Sequence, residues 1–420
     1  MFVWSEQHKM VRGMLRKFCE AEVAPHLDAL DTEQMLPYPV MRKLFKTFGL
    51  DGMALAGFQA DMKRLRKRAA GEAGDEAPRD PAVAERKALE RTEMAAMRAL
   101  AAIELSRYVP GLVSALGVTV GLTPGAIMAR GSMAQRERFV PDLLTLKKIG
   151  AWAITEPGSG SDAFGSMRAS ARLDGDSFVI NGQKTFITNG PHADTIVLYA
   201  KLDRGEPLEQ RPVVTFILDG DTPGLTRAPA FRKMGMHSSP TGELFLDDVR
   251  VGYDRLMGET LDGVAGGRKA AKATFGEERI GVVAMALGMI ERCLDLCVVY
   301  ARERVQFGRP IGEFQLIQLK LAKMEVARVN VQNILFRSFE MAGLKDEPTL
   351  AEASASKLYC AQAAMEVCLE AVQLHGGYGY MAEYRVEQLA RDAKVLQIYG
   401  GTDEIQVSQI ARDLLWGDRR

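Results

Sequence analysis

Residues 178–187 read "FVINGQKTFI". Two short runs of β-branched and aromatic residues flank Asn181-Gly182, a pair that favours a two-residue turn between antiparallel strands, so a hairpin is predicted here. The period of two continues through "TIVLYAKL" (195–202), "PVVTFIL" (212–218) and "GELFLDDVRV" (242–251). Residues 149–256 are therefore expected to form a compact β domain.

Outward from this segment the apolar period lengthens to the helical one. On the N-terminal side, "HKMVRGMLRKFCEAEVAPHL" (8–27) and "YPVMRKLFKTFGLDG" (38–52), stopped by Gly49, open a helical domain expected over residues 1–148. Residues 61–91, "DMKRLRKRAAGEAGDEAPRDPAVAERKALER", interrupt it. Dense in charge and nearly free of large apolar side chains, they read as an exposed insertion or a solvated helical pair. On the C-terminal side, helices are expected at about 263–301, 313–343, 347–374, 381–397 and 403–415, enough for a bundle over residues 257–420. The class is α+β and multidomain: a helical domain, a β domain and a helical bundle in series, neither the βαβ alternation of a parallel sheet nor a simple bundle.

The totals narrow the partners. The chain has 420 residues, with 54 Lys plus Arg balanced by 54 Asp plus Glu, so no net charge draws it to nucleic acid or an anionic membrane. No run in the sequence reads as a membrane span and the first residues lack an apolar signal core, so a cytoplasmic protein without integral membrane association is expected. The five cysteines, Cys19, Cys293, Cys297, Cys360 and Cys368, lie in apolar helical contexts without CxxC spacing and read as reduced core residues. No metal site is expected.

Four loops carry possible chemistry. "AWAITEPGSGSDAFG" (151–165) runs from a strand into a Gly/Ser-rich loop whose free amides suit polar ligand edges, although its glycine spacing is not that of a dinucleotide fingerprint. "ARERVQFGRPIGEFQ" (301–315) offers Arg302, Arg304 and Arg309 to phosphates and Phe307 to a planar ring. "QLHGGYGYMAEYRVEQLARD" (373–392) holds a second glycine turn. "LQIYGGTDEIQ" (396–406) breaks a helical run at two glycines, as a sharp turn or a close backbone approach requires.

Together, "TEPGSGSD", "INGQKTFITNG", "ERVQFGRPI", "QLHGGYGY", "RDAK" and "IYGGTDEIQ", in that order on this plan, closely resemble the acyl-CoA dehydrogenase flavoprotein family over about residues 100–418. The resemblance implies FAD as cofactor, an acyl-CoA substrate, an electron-transferring flavoprotein or similar acceptor, and a homotetramer or dimer. It implies that Trp152, Ile154 and Thr155 line the flavin, that Ser161 contacts cofactor or the CoA end, and that Phe186 and Thr188 lie against the isoalloxazine ring. Arg304, Gln306 and Phe307 would hold the pyrophosphate and adenine side, with Gln373, Gly376 and Gly377 meeting them across a subunit interface; Thr402 and Glu404 would face the ADP portion.

The catalytic base is the point of departure. Many members place a glutamate directly after the tyrosine of the two-glycine turn, whereas here Gly400 follows Tyr399 and only the backbone amide remains to support the thioester oxygen. A subgroup with isovaleryl-like or long-chain-like base placement carries the glutamate on a C-terminal-domain helix, just before an arginine. In "TFGEERIG" (274–281), Glu278 holds that place ahead of Arg279, and Glu277 points about 100° away around the helix. The resemblance thus makes Glu278 the base, Arg279 a contact to CoA and Tyr399 a substrate contact. A flavin oxidase or monooxygenase, or a non-catalytic acyl-CoA-binding relative, is the alternative on the same fold. Gly111, Gly117 and Gly121 either widen the acyl site or allow close helix packing.

Overall fold

The computed structural model describes residues 2–72, 81–262, 267–344 and 348–417, with the side chains of 267–278 outside the described set. Its N-terminal helices are α1 (Glu6–Phe18), α2 (Leu27–Asp31), α3 (Tyr38–Phe48), α4 (Leu50–Ala69), α5 (Pro81–Ser106), α6 (Pro110–Gly117), α7 (Thr123–Arg130) and α8 (Met133–Leu144). The strands β1 (Gly150–Ala153), β2 (Ser170–Asp174), β3 (Ser177–Thr188), β4 (Thr195–Asp203), β5 (Val213–Asp219), β6 (Leu225–Arg227) and β7 (Thr241–Gly252) follow. The long α9 (Gly267–Glu303), a short ribbon of β8 (Val305–Gln306) and β9 (Arg309–Pro310), α10 (Gln315–Leu344), α11 (Leu350–His375), α12 (Val386–Ala393) and α13 (Asp403–Trp416) complete the chain. The expected helix, β, helix order is what the chain adopts.

Local chemistry sets several helix starts. Ser5 with His8, Ser132 with Gln135 and Thr349 with Glu352 form reciprocal caps at the N-termini of α1, α8 and α11. In the charged segment, α4 and α5 make a helical pair whose connecting residues 73–80 lie outside the described set, and among α4 side chains only Met62 is buried. The basic run is therefore one side of a solvated helix. Residues 110–130 form a helical stretch long and apolar enough to cross a membrane by length and composition, which the sequence reading overlooked. In the fold, its Leu112, Ala115, Thr119, Thr123 and Ile127 are buried against the rest of the chain.

The hairpin predicted at Asn181-Gly182 does not exist. β3 runs straight through it, and the turn lies earlier, at Gly175–Asp176 between β2 and β3, with Gly175 at φ +61°. What Asn-Gly does instead is span a bulge: Ile180 pairs with Val249 but Gly182 with Leu246, so β7 carries an extra residue. The Asn181 side chain fills that gap, donating Nδ2 to Asp248 Oδ1 at 3.0 Å and accepting the Asp248 amide at 2.9 Å. Gly182 sits at φ +147°, and a Cβ there would come within 2.7 Å of Ala169. Glycine is required by a neighbouring backbone and not by a turn. A second irregularity, between Lys184 and Ile187, bulges β3 itself and leaves Phe186 at φ +56° and 67% exposed.

β4 carries β5 along one edge, with β1 and β2 parallel to it on the other. The sheet interior is apolar (Phe178, Ile180, Leu198, Phe216, Leu244), and a second cluster with Ile127, Phe139 and Leu143 packs α7 and α8 onto the sheet. In the C-terminal part, α9 lies centrally against α11, α10 and α5, so the bundle core also takes in an N-terminal helix.

All three parts meet at the loop 233–239. Gly235 packs against the Arg391 carbonyl so closely that a Cβ would fall within 2.6 Å of it, and the Met236 amide donates to the buried Asp392 carboxylate. Arg391 forks onto Asp31 of α2 (2.8 Å) and onto Glu387 (2.7 and 2.9 Å), while Gln388 donates to the Tyr108 carbonyl at 3.1 Å. His237 bridges Asp31 and the Lys233 carbonyl.

Burial, opposed by the Met236 amide, pushes the Asp392 carboxyl up from 3.8 to about 6. Between those values the folded chain holds the proton more tightly than the unfolded one, so this group favours folding below its unfolded value and that support is lost as pH rises through about 6. Asp392→Asn, which keeps an acceptor for Met236 and does not titrate, should gain stability relative to the parent between about pH 4.5 and 7.5, by on the order of 2 kcal/mol. Thermal unfolding at both pH values measures this, and an offset that does not change with pH contradicts it.

Candidate active site

The sheet supplies one wall. Trp152 and Ile154 share the β1 face turned to the cluster with Ile127 and Phe139, and Trp152 Nε1 donates to Tyr199 OH at 3.1 Å. Ile154 is buried there and Trp152 half-buried. Thr155 continues the wall at half-burial, and its carbonyl accepts the Thr185 amide at 2.9 Å across to β3. That bond takes Thr185 out of the β7 ladder and throws Phe186 outward. A non-glycine residue in the left-handed region is uncommon and strained, and here it holds an exposed aromatic ring beside Phe231, centroids 5.7 Å apart. Thr188 follows two residues on, half-buried on the same strand end.

A buried pair that the sequence reading missed holds this wall together. Lys184, fully buried, donates to Glu156 Oε1 at 2.8 Å and to the Ile154 carbonyl at 3.1 Å. Glu156 in turn accepts the amides of Arg168 (2.6 Å) and Ala169 (2.9 Å), closing the loop on which Ser161 is exposed. Desolvation lowers the Lys184 ammonium to about 8, against the pull of Glu156. The signal was available: a Glu and a Lys inside otherwise apolar strand ends.

Asn189 joins the sheet to the helices. Buried, at φ +63°, it donates Nδ2 to the carbonyls of Ala115 (2.9 Å) and Gly150 (3.0 Å) and accepts from Tyr38 OH at 3.1 Å. One residue before Ala115, Ser114 Oγ lies 3.4 Å from Tyr399 OH, which also reaches Met285 Sδ at 3.4 Å. Thr188, α6, α9 and the tyrosine of the two-glycine turn therefore border one region. Of the three α6–α7 glycines, Gly111 packs tightly, its would-be Cβ 2.5 Å from Ser238 Oγ, whereas Gly117 and Gly121 face open space.

The turn itself has Gly400 at φ +64° and Gly401 at φ +92°. Thr402 caps α13 by accepting the Ile405 amide, and Glu404, exposed in the first turn, has its carboxyl held low by its own amide and the Thr402 hydroxyl. Arg279 is 5% exposed and donates to Ser354 Oγ (3.1 Å) and the Leu350 carbonyl (3.3 Å), with Nη2 3.8 Å from where a Cβ on Gly401 would lie. That location places it behind the two-glycine turn. Glu278 precedes it on α9; the Glu278 side chain is outside the described residues.

A second site lies elsewhere. Arg304, Gln306, His375, Gly376, Gly377 and Tyr378 line a cleft of about 620 Å³ at the far end of α9. Arg304 stands over the Tyr378 ring at 5.3 Å, and His375 stacks on Tyr300 at 4.3 Å. Phe307 projects from the ribbon turn at φ +53° and is 93% exposed. Gln373 is exposed in the last turn of α11. The two loops expected to meet across a subunit interface are thus neighbours in one chain. From Arg279 to Arg304 the helix advances about 37 Å at 1.5 Å per residue. Among the described residues no group of three or more metal-ligating side chains occurs, and all five cysteines are buried and free.

Profiles of the acyl-CoA dehydrogenase N-terminal, middle and C-terminal domains match residues 5–59, 151–249 and 265–415. A 3-(aryl)acrylate reductase of Clostridium sporogenes is 34% identical over 98% of this chain and 99% of its own length. A caffeyl-CoA reductase–Etf complex subunit of Acetobacterium woodii is 32% identical over 98% and 99%. Among solved structures, butyryl-CoA dehydrogenase from Megasphaera elsdenii superposes with a TM-score of 0.80 at 31% identity, covering 99% of this chain and 100% of that one.

If the arginine cleft and the α13 N-terminus hold the cofactor's phosphates, Arg304→Ala with Thr402→Ala should lower bound flavin per chain after gel filtration. Each lost contact is worth roughly 1–3 kcal/mol. Arg302→Ala, an exposed neighbour, should not change flavin content; full occupancy in the double variant rejects the placement.

Proposed function

The chain belongs to the acyl-CoA dehydrogenase family, and on that premise we propose how its own residues carry out FAD-dependent α,β-dehydrogenation of an acyl-CoA thioester to the 2,3-enoyl-CoA. The observation carrying the proposal is Gly400, on a turn where the chain has no side chain to offer, beside a helix whose buried Arg279 is preceded by Glu278.

The residues present suit the cofactor. An exposed Phe186 held on strained backbone beside Thr188 offers a flat apolar face and a hydroxyl to a ring, and the α13 N-terminus favours an anion. Bound FAD supplies the hydride-accepting chemistry at the β-carbon. Glu278 removes the α-proton. Gly400 contributes its amide to the thioester oxygen as negative charge develops there. Tyr399, anchored between Ser114 and Met285, forms the acyl-side wall, and Ser161 lies on the loop nearest the CoA end. Reversibility means that the same groups serve reduction when electrons arrive from the acceptor, the direction named for two of the relatives.

Assembly is part of the reading. The arginine cleft lies farther along α9 than one extended cofactor bridges from the two-glycine turn, so it serves the flavin of a second copy. Exposed Phe307 and an apolar stripe on α10 (Leu316, Leu319, Val326, Val329) suit burial against that copy, in a homotetramer. An electron-transferring flavoprotein takes the electrons, as the name of one relative's complex suggests, and the enzyme works in the cytoplasm.

Glu278→Gln should keep FAD and bind acyl-CoA, yet slow anaerobic flavin bleaching by about 10² to 10⁴-fold, the usual worth of a positioned base; Glu277→Gln should do little. Glu278→Gly with Gly400→Glu should recover part of the rate, incompletely, because a side chain at position 400 carries left-handed strain of about 1 kcal/mol or more. Near-normal bleaching by Glu278→Gln, or a crippled Glu277→Gln, removes Glu278 from the role.

A further inference from the structure

Behind the two-glycine turn lie two fully buried polar side chains that no step above uses, Lys357 of α11 and Gln406 of α13. Gln406 Nε2 donates to the carbonyls of Gly400 (3.0 Å) and Gly401 (2.8 Å), and Lys357 Nζ donates to the Gly401 carbonyl at 2.9 Å. Lys357 also pairs with Asp403 at 3.5 Å, and Gln362 and Gln397 hold the other oxygen of that carboxylate at 3.2 and 3.1 Å. The space is shaped around glycine: a Cβ on Gly401 would sit 2.8 Å from Gln406 Nε2.

In a trans peptide the carbonyl and the next residue's N–H point in opposite directions. With the carbonyls of Gly400 and Gly401 drawn inward, the amides of Gly401 and Thr402 point away from Gln406, and both peptides that follow Gly400 are fixed. Among the described residues no backbone carbonyl accepts the amides of Gly400, Gly401 or Thr402. Successive free amides in left-handed turn geometry make a concavity for negative charge.

We propose that Lys357 and Gln406 are positioning residues of the reaction: by fixing the carbonyls of Gly400 and Gly401 inward they pin the two peptides that follow Gly400 and so hold Gly400, with its amide, in place for the oxygen of the reacting thioester. The inference rests on the dehydrogenation reading, and explains how a turn without any side chain at 400 and 401 keeps one conformation. Left to itself, a Gly-Gly pair samples both signs of φ, and each amide would have to be ordered during catalysis.

A 3-thia-acyl-CoA separates positioning from bulk. Its sulfur at the β-position prevents hydride loss while acidifying the α-carbon, so the bound anion is read as long-wavelength charge-transfer absorption with oxidised flavin. In the parent enzyme the bound analogue should ionise; in Lys357→Met its apparent pKa should rise by about one unit, a tenfold loss of anion affinity, with flavin bleaching by substrate slowed about 10 to 100-fold. Flavin content should hold, KM should change less than kcat, and Lys357→Arg should restore part of the anion band. Gln406→Met should act in the same direction and decides the matter if Lys357→Met does not fold. An unchanged analogue pKa in a folded, flavin-bearing variant overturns the proposal, as does failure of both variants to hold flavin, which would make the pair structural only. Absence of both ionisation and bleaching in the parent enzyme overturns the dehydrogenation reading itself.

Discussion

Arg391 and Asp392 stand back to back where the three parts of the chain meet, one reaching Asp31 of the N-terminal helices and the other the Met236 amide of the β-domain loop. Burial alone would raise the Asp31 carboxyl, but Arg391 and His237 outweigh it and hold it low. Removing Arg391 leaves Asp31 with His237, and removing Asp31 leaves Arg391 with Glu387. The active region has no domain of its own: Ser114 comes from the N-terminal helices, Phe186 and Thr188 from the sheet, and Tyr399 and Gly400 from the C-terminal bundle. A misplacement of about 1 Å at such a seam can cost on the order of 10²-fold in rate, so the junction sets the catalytic geometry from a distance. A second polar network, in which Arg12, Arg16 and Arg107 surround Glu104 and Glu291, ties α1 and α5 to α9 and fixes the helix that carries Glu278.

The division of labour follows from the backbone. Gly400 at φ +64° relaxes a turn that any side chain would strain, and buried side chains take the carbonyls of Gly400 and Gly401. Giving proton transfer to α9 then asks nothing further of that turn. On the proposed assignment one element stabilises charge and another moves the proton, which lets each be rigid in its own way.

The order of helical and β segments was legible because the apolar period changes from 3.6 to 2 and back. Asn181-Gly182 was misread since a bulge and a hairpin turn ask for the same two residues; the choice was made by Ala169 packed beneath Gly182 and by Asp248 across the ladder. The bonds from Arg279 to Leu350 and Ser354, about seventy residues on, carry no local sequence signal. Lys357 and Gln406 could not be seen at all, because their partners are main-chain carbonyls, which carry no sequence signature. Motif order named the family.

Proton removal from the α-carbon by Glu278 is the central claim, and it can be watched without any redox step. A 3-thia-acyl-CoA incubated with enzyme in D₂O and analysed by mass spectrometry reports exchange of its α-hydrogens directly. The parent enzyme should exchange them in a catalysed reaction and Glu278→Gln, with full flavin content, should not. Exchange at the parent rate in Glu278→Gln would contradict the account and place the base on another residue.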